Sequence, residues 1–346
     1  MRYTLQEIKT ILYGKFLQEK EDTVITNICI DTRQITNAAG CLFFCLVARN
    51  DGHQHIEKAY KKGIRNFIIS KEIETNTFTD ASFVLVENTT VALQQLAKYH
   101  REQFNIPVIG ITGSNGKTIV KEWLFQLLTS EKNIVKSPKS YNSQVGVPLS
   151  VLNMEKENEL AIFEAGISTV GEMENLQKII QPSIGILTNI GSAHDAGFSS
   201  AEEKIKEKLK LFEDCTAVIY SDKYLDSPEP IVHSARFISF GDGETSTLII
   251  KQKEKKKNST IVEINSTAFN IHHSTFNIPF TDEASIENCL HCVVTLLYLG
   301  FSLEKIQTKI LSLRNLPMRL ELKYGINNCT IIDDSYSADF HSLQIA

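Results

Sequence analysis

The sequence predicts an α/β protein of more than one domain, with a mostly parallel sheet at its centre. Three observations lead there. From Ser70 to Leu225, short apolar runs alternate with amphipathic stretches. Strands buried on both faces read as continuous apolar runs, and alternating β and α builds a parallel sheet. The chain has 346 residues and 42% hydrophobic content, which at about 150 residues per domain fills two or three cores. Finally, "VIGITGSNGKTIVKEWLFQLL" (108–128) runs from a strand through a glycine turn into a helix.

Taken in order, residues 1–82 form a smaller α/β unit carrying "ICIDTRQI", "GCLFFCLVARNDGHQH" and "IEKAYKKGIRNFIIS". Residues 83–314 form the central domain. Its expected buried strands are "FVLV" (83–86), "VIGI" (108–111), "LAIFEAG" (160–166), "IGILTNI" (184–190) and "TAVIY" (216–220). Such sheets bind ligands beyond the carboxyl ends of their strands. Residues 247–280 read as β-hairpins, and the lysine run at 253–257 as a solvated hairpin tip. Helices follow near 284–299 and 303–313. Residues 315–346 open a third, Rossmann-like domain. A strand, a turn and a helix start cannot bury a core, so a further domain is expected beyond residue 346.

Acidic residues outnumber basic ones, 41 to 36. This gives no general drive toward nucleic acid or an anionic membrane. The N-terminus lacks an apolar signal core, and no apolar run approaches the roughly 18 residues that span a bilayer. Seven scattered cysteines fit a cytoplasmic protein with reduced thiols. Cys289 and Cys292 form a lone C-x-x-C with no second ligand pair at a zinc spacing. They read as buried helix cysteines.

The glycine turn departs from G-x-x-x-x-G-K-[ST], since Ile111 stands where that pattern has glycine. Its chemistry still points to phosphate. Gly113 and Gly116 permit positive φ and close backbone approach. Backbone N–H groups of 113–118 then face an anion, helped by the helix dipole. Lys117 supplies charge to the β- and γ-phosphates, and the Thr118 hydroxyl suits Mg²⁺. An ordinary βα turn is the alternative. The loop alone leaves kinase, GTPase and ligase open. Glu164 ends "LAIFE", where a metal carboxylate or a helix cap would sit. His194 follows "IGILTNI" at a third strand's carboxyl end, and a lone histidine is often structural.

"TGSNGKT" resembles the loop of the Mur ligase family, whose shorter pattern is G-x-x-G-K-[ST]. Further segments match in order: "SYNSQVGVPLSVL" (140–152), "FEAGISTVGEMENL" (163–176), "TNIGSAHDAGFSSAEEKIKEKLKLF" (188–212) and "RLELKYGINNCTIIDDSYSAD" (319–339). The resemblance covers nearly the whole chain. It implies an ATP-dependent amide-forming ligase of peptidoglycan synthesis, with an N-terminal uridine-nucleotide domain and a central ATPase domain. "IDTRQITNAAGCLFFCLVARNDGHQHIEKAYKKGI" (30–64) is similar to the UDP-binding domain of the members that add the third amino acid or the terminal dipeptide. "YNSQVGVPLSVL" and "IIDDSYSAD" favour the dipeptide: D-Ala-D-Ala joined to UDP-N-acetylmuramoyl-tripeptide. The motif wording also resembles a member fused to alanine racemase, which would lie beyond residue 346.

The resemblance implies roles residue by residue. Gly113, Ser114, Asn115, Gly116, Lys117 and Thr118 would bind ATP, with Asn288, Arg319 and Asp334. Thr118, Glu164, His194 and Lys208 would hold two Mg²⁺ ions, and Lys117, Lys208 and His194 would be catalytic. Lys208 matches a lysine carbamylated by CO₂. Read from residues alone, it is one charge on a solvated helix face, beside Lys204, Lys206 and Lys210. Asp31, Thr32, Arg33, Asp51, Gly52 and His53 would bind the UDP substrate. Arg33 is the natural diphosphate or carboxylate partner, with a surface salt bridge as its alternative. Two departures stand out: Ala284-Ser285 replaces the family's "HN" before Asn288, and "YSADF" replaces "YNANP" after Asp334. Residues 1–346 alone are expected to bind substrates weakly and to ligate nothing.

Overall fold

Two sheets organise the chain, and each belongs to its own compact unit. The computed structural model describes residues 1–48, 50–191, 197–225, 232, 235–317, 321–333 and 335. The first unit comprises 1–105, 141–157 and 178–180. Here β1 (Tyr3–Thr4) leads into α1 (Leu5–Ile11), whose start is a capping box between Thr4 and Glu7. The next elements are β2 (Lys15–Gln18), β3 (Val24–Ile25), β4 (Asn27–Cys29), β5 (Cys41–Phe44), α2 (Ile56–Lys61), β6 (Asn66–Ile69), β7 (Ser82–Leu85) and α3 (Thr89–Arg101). β1 pairs with β3. The main sheet has the order β2-β7-β6-β5-β4, parallel except for β2. Phe43, Phe67 and Phe83 form its aromatic core.

The chain then enters the second unit through β8 (Val108–Thr112), α4 (Lys117–Leu128) and β9 (Ile134–Lys136). It returns to the first for α5 (Gly146–Val151). The second unit continues with β10 (Leu160–Glu164), α6 (Glu172–Ile180), β11 (Ile184–Leu187), α7 (Ala201–Leu209), β12 (Ala217–Ser221), β13 (Arg236–Gly241), β14 (Leu248–Lys255), β15 (Thr260–Ser266), β16 (Ile271–Ile278), α8 (Glu283–Tyr298) and α9 (Leu303–Ile310). One nine-stranded sheet runs in the order β16-β15-β14-β13-β12-β11-β8-β10-β9. It is parallel from β9 to β14 and antiparallel through β15 and β16. The expected hairpins therefore extend the central sheet.

β8 is central because both its neighbours continue elsewhere: the chain leaves toward β9 and β10 and comes back to β11 on the other side. That reversal is a topological switch point, where α/β sheets bind ligands. Behind it, α4 packs on α8. Trp123 stacks on Phe280 at 4.6 Å, and its indole N–H donates to the Arg314 carbonyl at 2.9 Å. Such a pair adds about 0.5–1.5 kcal/mol beyond its buried area. Cys289 and Cys292 are buried on α8 with free thiols, as the helical spacing indicates.

The structure differs from the sequence reading in three places. "FVLV" belongs to β7, which pairs with β2 and β6 of the first unit, so the boundary expected at 82/83 falls at 105/106. A buried apolar run shows that a strand is covered but not which strand it pairs with. Cys29 and Cys41, on adjacent strands, bring their sulfurs within bonding reach, a pairing that the scattered cysteine positions did not suggest. Within 315–346, β17 (Glu321–Tyr324) and β18 (Thr330–Asp333) form a two-stranded ribbon of their own. No helix among the described residues is long and apolar enough to cross a membrane.

Candidate nucleotide and metal site

The site grows from the end of β8. Five buried residues, Val108–Thr112, carry the chain to the sheet's carboxyl edge. Gly113 then turns at φ +146° and Gly116 at φ +83°, the latter capping α4. Both positions demand glycine for space as well as for conformation. A Cβ at Gly113 would lie 2.1 Å from Thr188 Oγ1, and one at Gly116 would lie 2.4 Å from Asn288 Oδ1. Asn288, on α8, thus abuts the loop.

The loop is clamped by the segment after β11. Ser114 N–H donates to the Asn189 carbonyl at 3.0 Å, and Asn115 N–H donates to Asn189 Oδ1 at 2.7 Å. Thr188 Oγ1 donates to the Asn115 carbonyl at 2.5 Å. Ser114 Oγ exchanges hydrogen bonds with Gly191. Beneath them, fully buried His291 holds the Thr188 carbonyl through Nε2 at 2.9 Å. Burial pushes the His291 imidazole down to about 4, so it is neutral.

Three lysines surround this turn. Lys117 Nζ donates to the carbonyls of Gly113 (2.7 Å) and Ser114 (3.1 Å). Lys208 Nζ, from α7, donates to the same Gly113 carbonyl at 3.2 Å. Lys204, one helical turn earlier, reaches the Gly191 carbonyl. Lys208 is 3% exposed, so it is not on a solvated face. Burial, with Lys117 and Lys204 adding repulsion, pushes its ammonium down to about 7. Of its neighbours, Lys206 is exposed and Lys210 pairs with Glu207 at 2.7 Å.

Glu164 ends β10, the neighbour of β8, and is fully buried. Its Oε2 accepts from Thr118 Oγ1 at 3.1 Å, and Thr118 Oγ1 is 2.9 Å from Ser140 Oγ. Three hard oxygen donors thus meet at the first turn of α4. Magnesium prefers oxygen ligands and is usually held by one or two carboxylates plus phosphates, so this donor set fits it. No group of three His, Cys, Asp or Glu that could hold a metal occurs among the described residues. A cation here would therefore rest on hydroxyls, Glu164 and ligand oxygens.

In the first unit, the uridine-type residues lie where parallel strands end. Asp31 follows β4 and Asp51 follows β5, and these strands are neighbours. Asp31 caps a short turn and receives Arg33 in a forked ion pair, with Nε at 3.0 Å from both oxygens and Nη2 at 2.7 Å from Oδ2. The Arg33 hydrogen bonds hold the Asp31 carboxyl down at about 2. The surface salt bridge is thus present, with Arg33 82% exposed beyond it. Thr32 is buried, and its carbonyl accepts from Lys62 at 2.7 Å. Asp51 accepts from the backbone N–H of His53 (3.0 Å), His53 Nδ1 (2.6 Å) and Lys71 (2.5 Å). His53 Nε2 accepts the Ser70 N–H at 3.0 Å, which assigns the proton to Nδ1. Gly52 leaves no room for a Cβ beside the Leu46 carbonyl.

Residues 111–296 match the Mur ligase middle domain. The chain belongs to the Mur ligase family. Among relatives, the UDP-N-acetylmuramoyl-tripeptide–D-alanyl-D-alanine ligase of Bacillus subtilis is 28% identical over all of this chain and 75% of that protein. The ligase of the same name from Buchnera aphidicola subsp. Baizongia pistaciae is 30% identical, covering 97% of this chain and 73% of that one. The crystal structure of MurF from Acinetobacter baumannii matches with a TM-score of 0.88 at 26% identity, over all of this chain and 75% of that one. Mur ligases of this kind are ATP-dependent, ADP-forming peptide ligases.

Set beside the Mur ligase motifs, the second unit brings together Gly113 to Thr118, Glu164, Lys208 and Asn288. His194, Arg319 and Asp334 lie outside the described residues. Sequence reasoning overlooked Ser140, Lys121, Asn189 and His291. Ser140 and Asn189 sit inside quoted motifs but carried no role. Lys121 and His291 carry no local signal, since they look like ordinary helix residues.

Proposed function

We propose that this protein is a MurF-type ligase, joining D-Ala-D-Ala to UDP-N-acetylmuramoyl-tripeptide with ATP converted to ADP and phosphate. One observation carries the reading: Lys117, Thr118, Glu164 and Lys208 converge on the glycine turn from three separate elements. The names of the similar ligases support the choice of substrates.

In this reading the tripeptide carboxylate attacks the γ-phosphate, giving an acyl phosphate. The dipeptide amine then attacks the acyl carbon, and phosphate leaves. Two anions must meet, so charge neutralisation and positioning dominate over covalent catalysis. Lys117 turns from its loop carbonyls to the β- and γ-phosphates. The backbone N–H groups at the start of α4 hold the same oxygens. Mg²⁺, held by Thr118 and Glu164 with His194 and Lys208 as further ligands, would neutralise phosphate charge. Carbamylation of Lys208 converts a buried cation into an anion fit for that role. Asn288 would contact the nucleotide, with Arg319 and Asp334. Asp31, Thr32, Arg33, Asp51, Gly52 and His53 would hold the uridine diphosphate end, with the guanidinium of Arg33 meeting phosphate. A fused alanine racemase rests on motif wording and is tested by the reading frame beyond residue 346. Work in the cytoplasm follows from the ATP and UDP-linked substrates.

The test is ADP release by the full-length protein. Release is expected only with UDP-tripeptide and D-Ala-D-Ala together. Release with diaminopimelate or lysine as acceptor, and not with the dipeptide, would assign the neighbouring ligase. Unchanged ligation by Lys117→Ala would overturn the catalytic reading.

A further inference from the structure

Lys121 stands one turn beyond Lys117 on α4, and its side chain is fully buried. A buried ammonium is costly unless its protons find acceptors. Four oxygens surround this one. It donates to the Ser137 carbonyl at 2.8 Å and to the Lys139 carbonyl. Glu122 Oε1 lies at 3.1 Å, and Glu164 Oε1 at 2.9 Å. The Glu164 contact is a charge pair without hydrogen-bond alignment.

This arrangement divides the Glu164 carboxylate. Oε1 faces Lys121, while Oε2 faces the Thr118 hydroxyl. The same ammonium fixes the carbonyls of 137 and 139, and so the backbone that delivers Ser140 to Thr118. Ser137 adds to the brace, since its Oγ accepts the Glu164 backbone N–H at 3.2 Å. Turning Glu164 so that both oxygens face a cation would therefore compete with a buried ion pair. Calcium commonly takes a carboxylate through two oxygens and tolerates irregular shells, whereas magnesium demands near-octahedral geometry.

We infer that Lys121 is a positioning residue that occupies Oε1 of Glu164, making Glu164 a one-oxygen ligand and tuning the site to Mg²⁺ over Ca²⁺. The inference rests on Glu164 being a metal ligand. It adds a residue that touches neither cation nor nucleotide.

The test is ADP binding by the full-length protein, measured by calorimetry while Mg²⁺ or Ca²⁺ is titrated. For Lys121→Met, Mg²⁺ is expected to assist binding about 10–100-fold less well, as for other groups that orient metal ligands, while Ca²⁺ loses less. Equal loss for both cations, or a lowered melting temperature with unchanged selectivity, would mean a structural role only and would overturn the inference. Since Lys121→Met leaves Glu164 buried and unpaired, a second measurement uses the unaltered protein. Its crystal structure with ADP and Mg²⁺ is expected to show ligation through Oε2 alone, with Lys121 still on Oε1. Ligation through both oxygens would overturn the inference but keep the metal site. A cation bound away from Glu164 would overturn the metal reading itself.

Discussion

Lys208 should react with CO₂ as no ordinary lysine does. Carbamate forms from the neutral amine, so the neutral fraction sets the reactivity. With its ammonium pushed down to about 7, roughly three quarters of Lys208 is neutral at pH 7.5. An ordinary lysine near 10.4 is about 0.1% neutral there. The advantage is several-hundred-fold, and its source is burial beside Lys117 and Lys204. The carbamate would also relieve that repulsion by replacing a cation with an anion. The assay is carbon NMR of the protein in ¹³C-bicarbonate. At pH 7.5 a lysine carbamate resonance is expected beside that of the N-terminal amine, absent from Lys208→Met and kept in Lys206→Met, whose side chain is exposed. It should fade as pH falls below about 7, where the amine protonates. A spectrum with the N-terminal carbamate alone, or one that Lys208→Met leaves unchanged, would refute the reasoning.

Three further outcomes follow from the geometry. Gly116→Ala forces a Cβ to 2.4 Å from Asn288 Oδ1 at φ +83°. It should cost about 1–3 kcal/mol in a denaturation curve and weaken ADP binding, and unchanged ADP affinity would contradict the loop's role. His100 and His291 are both held down to about 4 by burial. Their folded values lie below the unfolded one, so the unfolded chain takes up protons first. Stability should fall as pH drops from about 6.5 to 4, by up to about 3 kcal/mol per histidine, and His100→Phe should flatten that slope in urea titrations. Unfolded without reductant, the protein should show five titratable thiols, the count left by the Cys29–Cys41 bond. Seven would mean that the bond is absent.

What could be read from the sequence follows from how local each signal is. β8, β10 and β11 are central parallel strands built on apolar runs, and those runs stood out. The loop was legible because glycine, lysine and threonine must be adjacent to cradle phosphate. β7 was equally apolar, yet its partners β2 and β6 are fixed by long-range pairing that no local pattern records. Lys208 was hidden for the same reason. Lys204, Lys206, Lys208 and Lys210 alternate along α7 and the turn after it, and they look alike until packing buries two and leaves Lys206 in solvent. Only family resemblance chose Lys208, and burial narrows the choice to Lys204 and Lys208. His291 and Lys121 act through contacts made across the fold, so composition and spacing could not find them. The Cys29–Cys41 pair likewise appears only once β4 lies beside β5.

The central claim is that a carboxylate oxygen passes to phosphate. UDP-tripeptide carrying ¹⁸O in its terminal carboxylate tests this directly, with the full-length protein, ATP and D-Ala-D-Ala. An acyl phosphate requires the released inorganic phosphate to carry one ¹⁸O atom per ligation, because the bond to the acyl carbon breaks when the amine attacks. Phosphate free of ¹⁸O, formed alongside ligated product, would contradict the account.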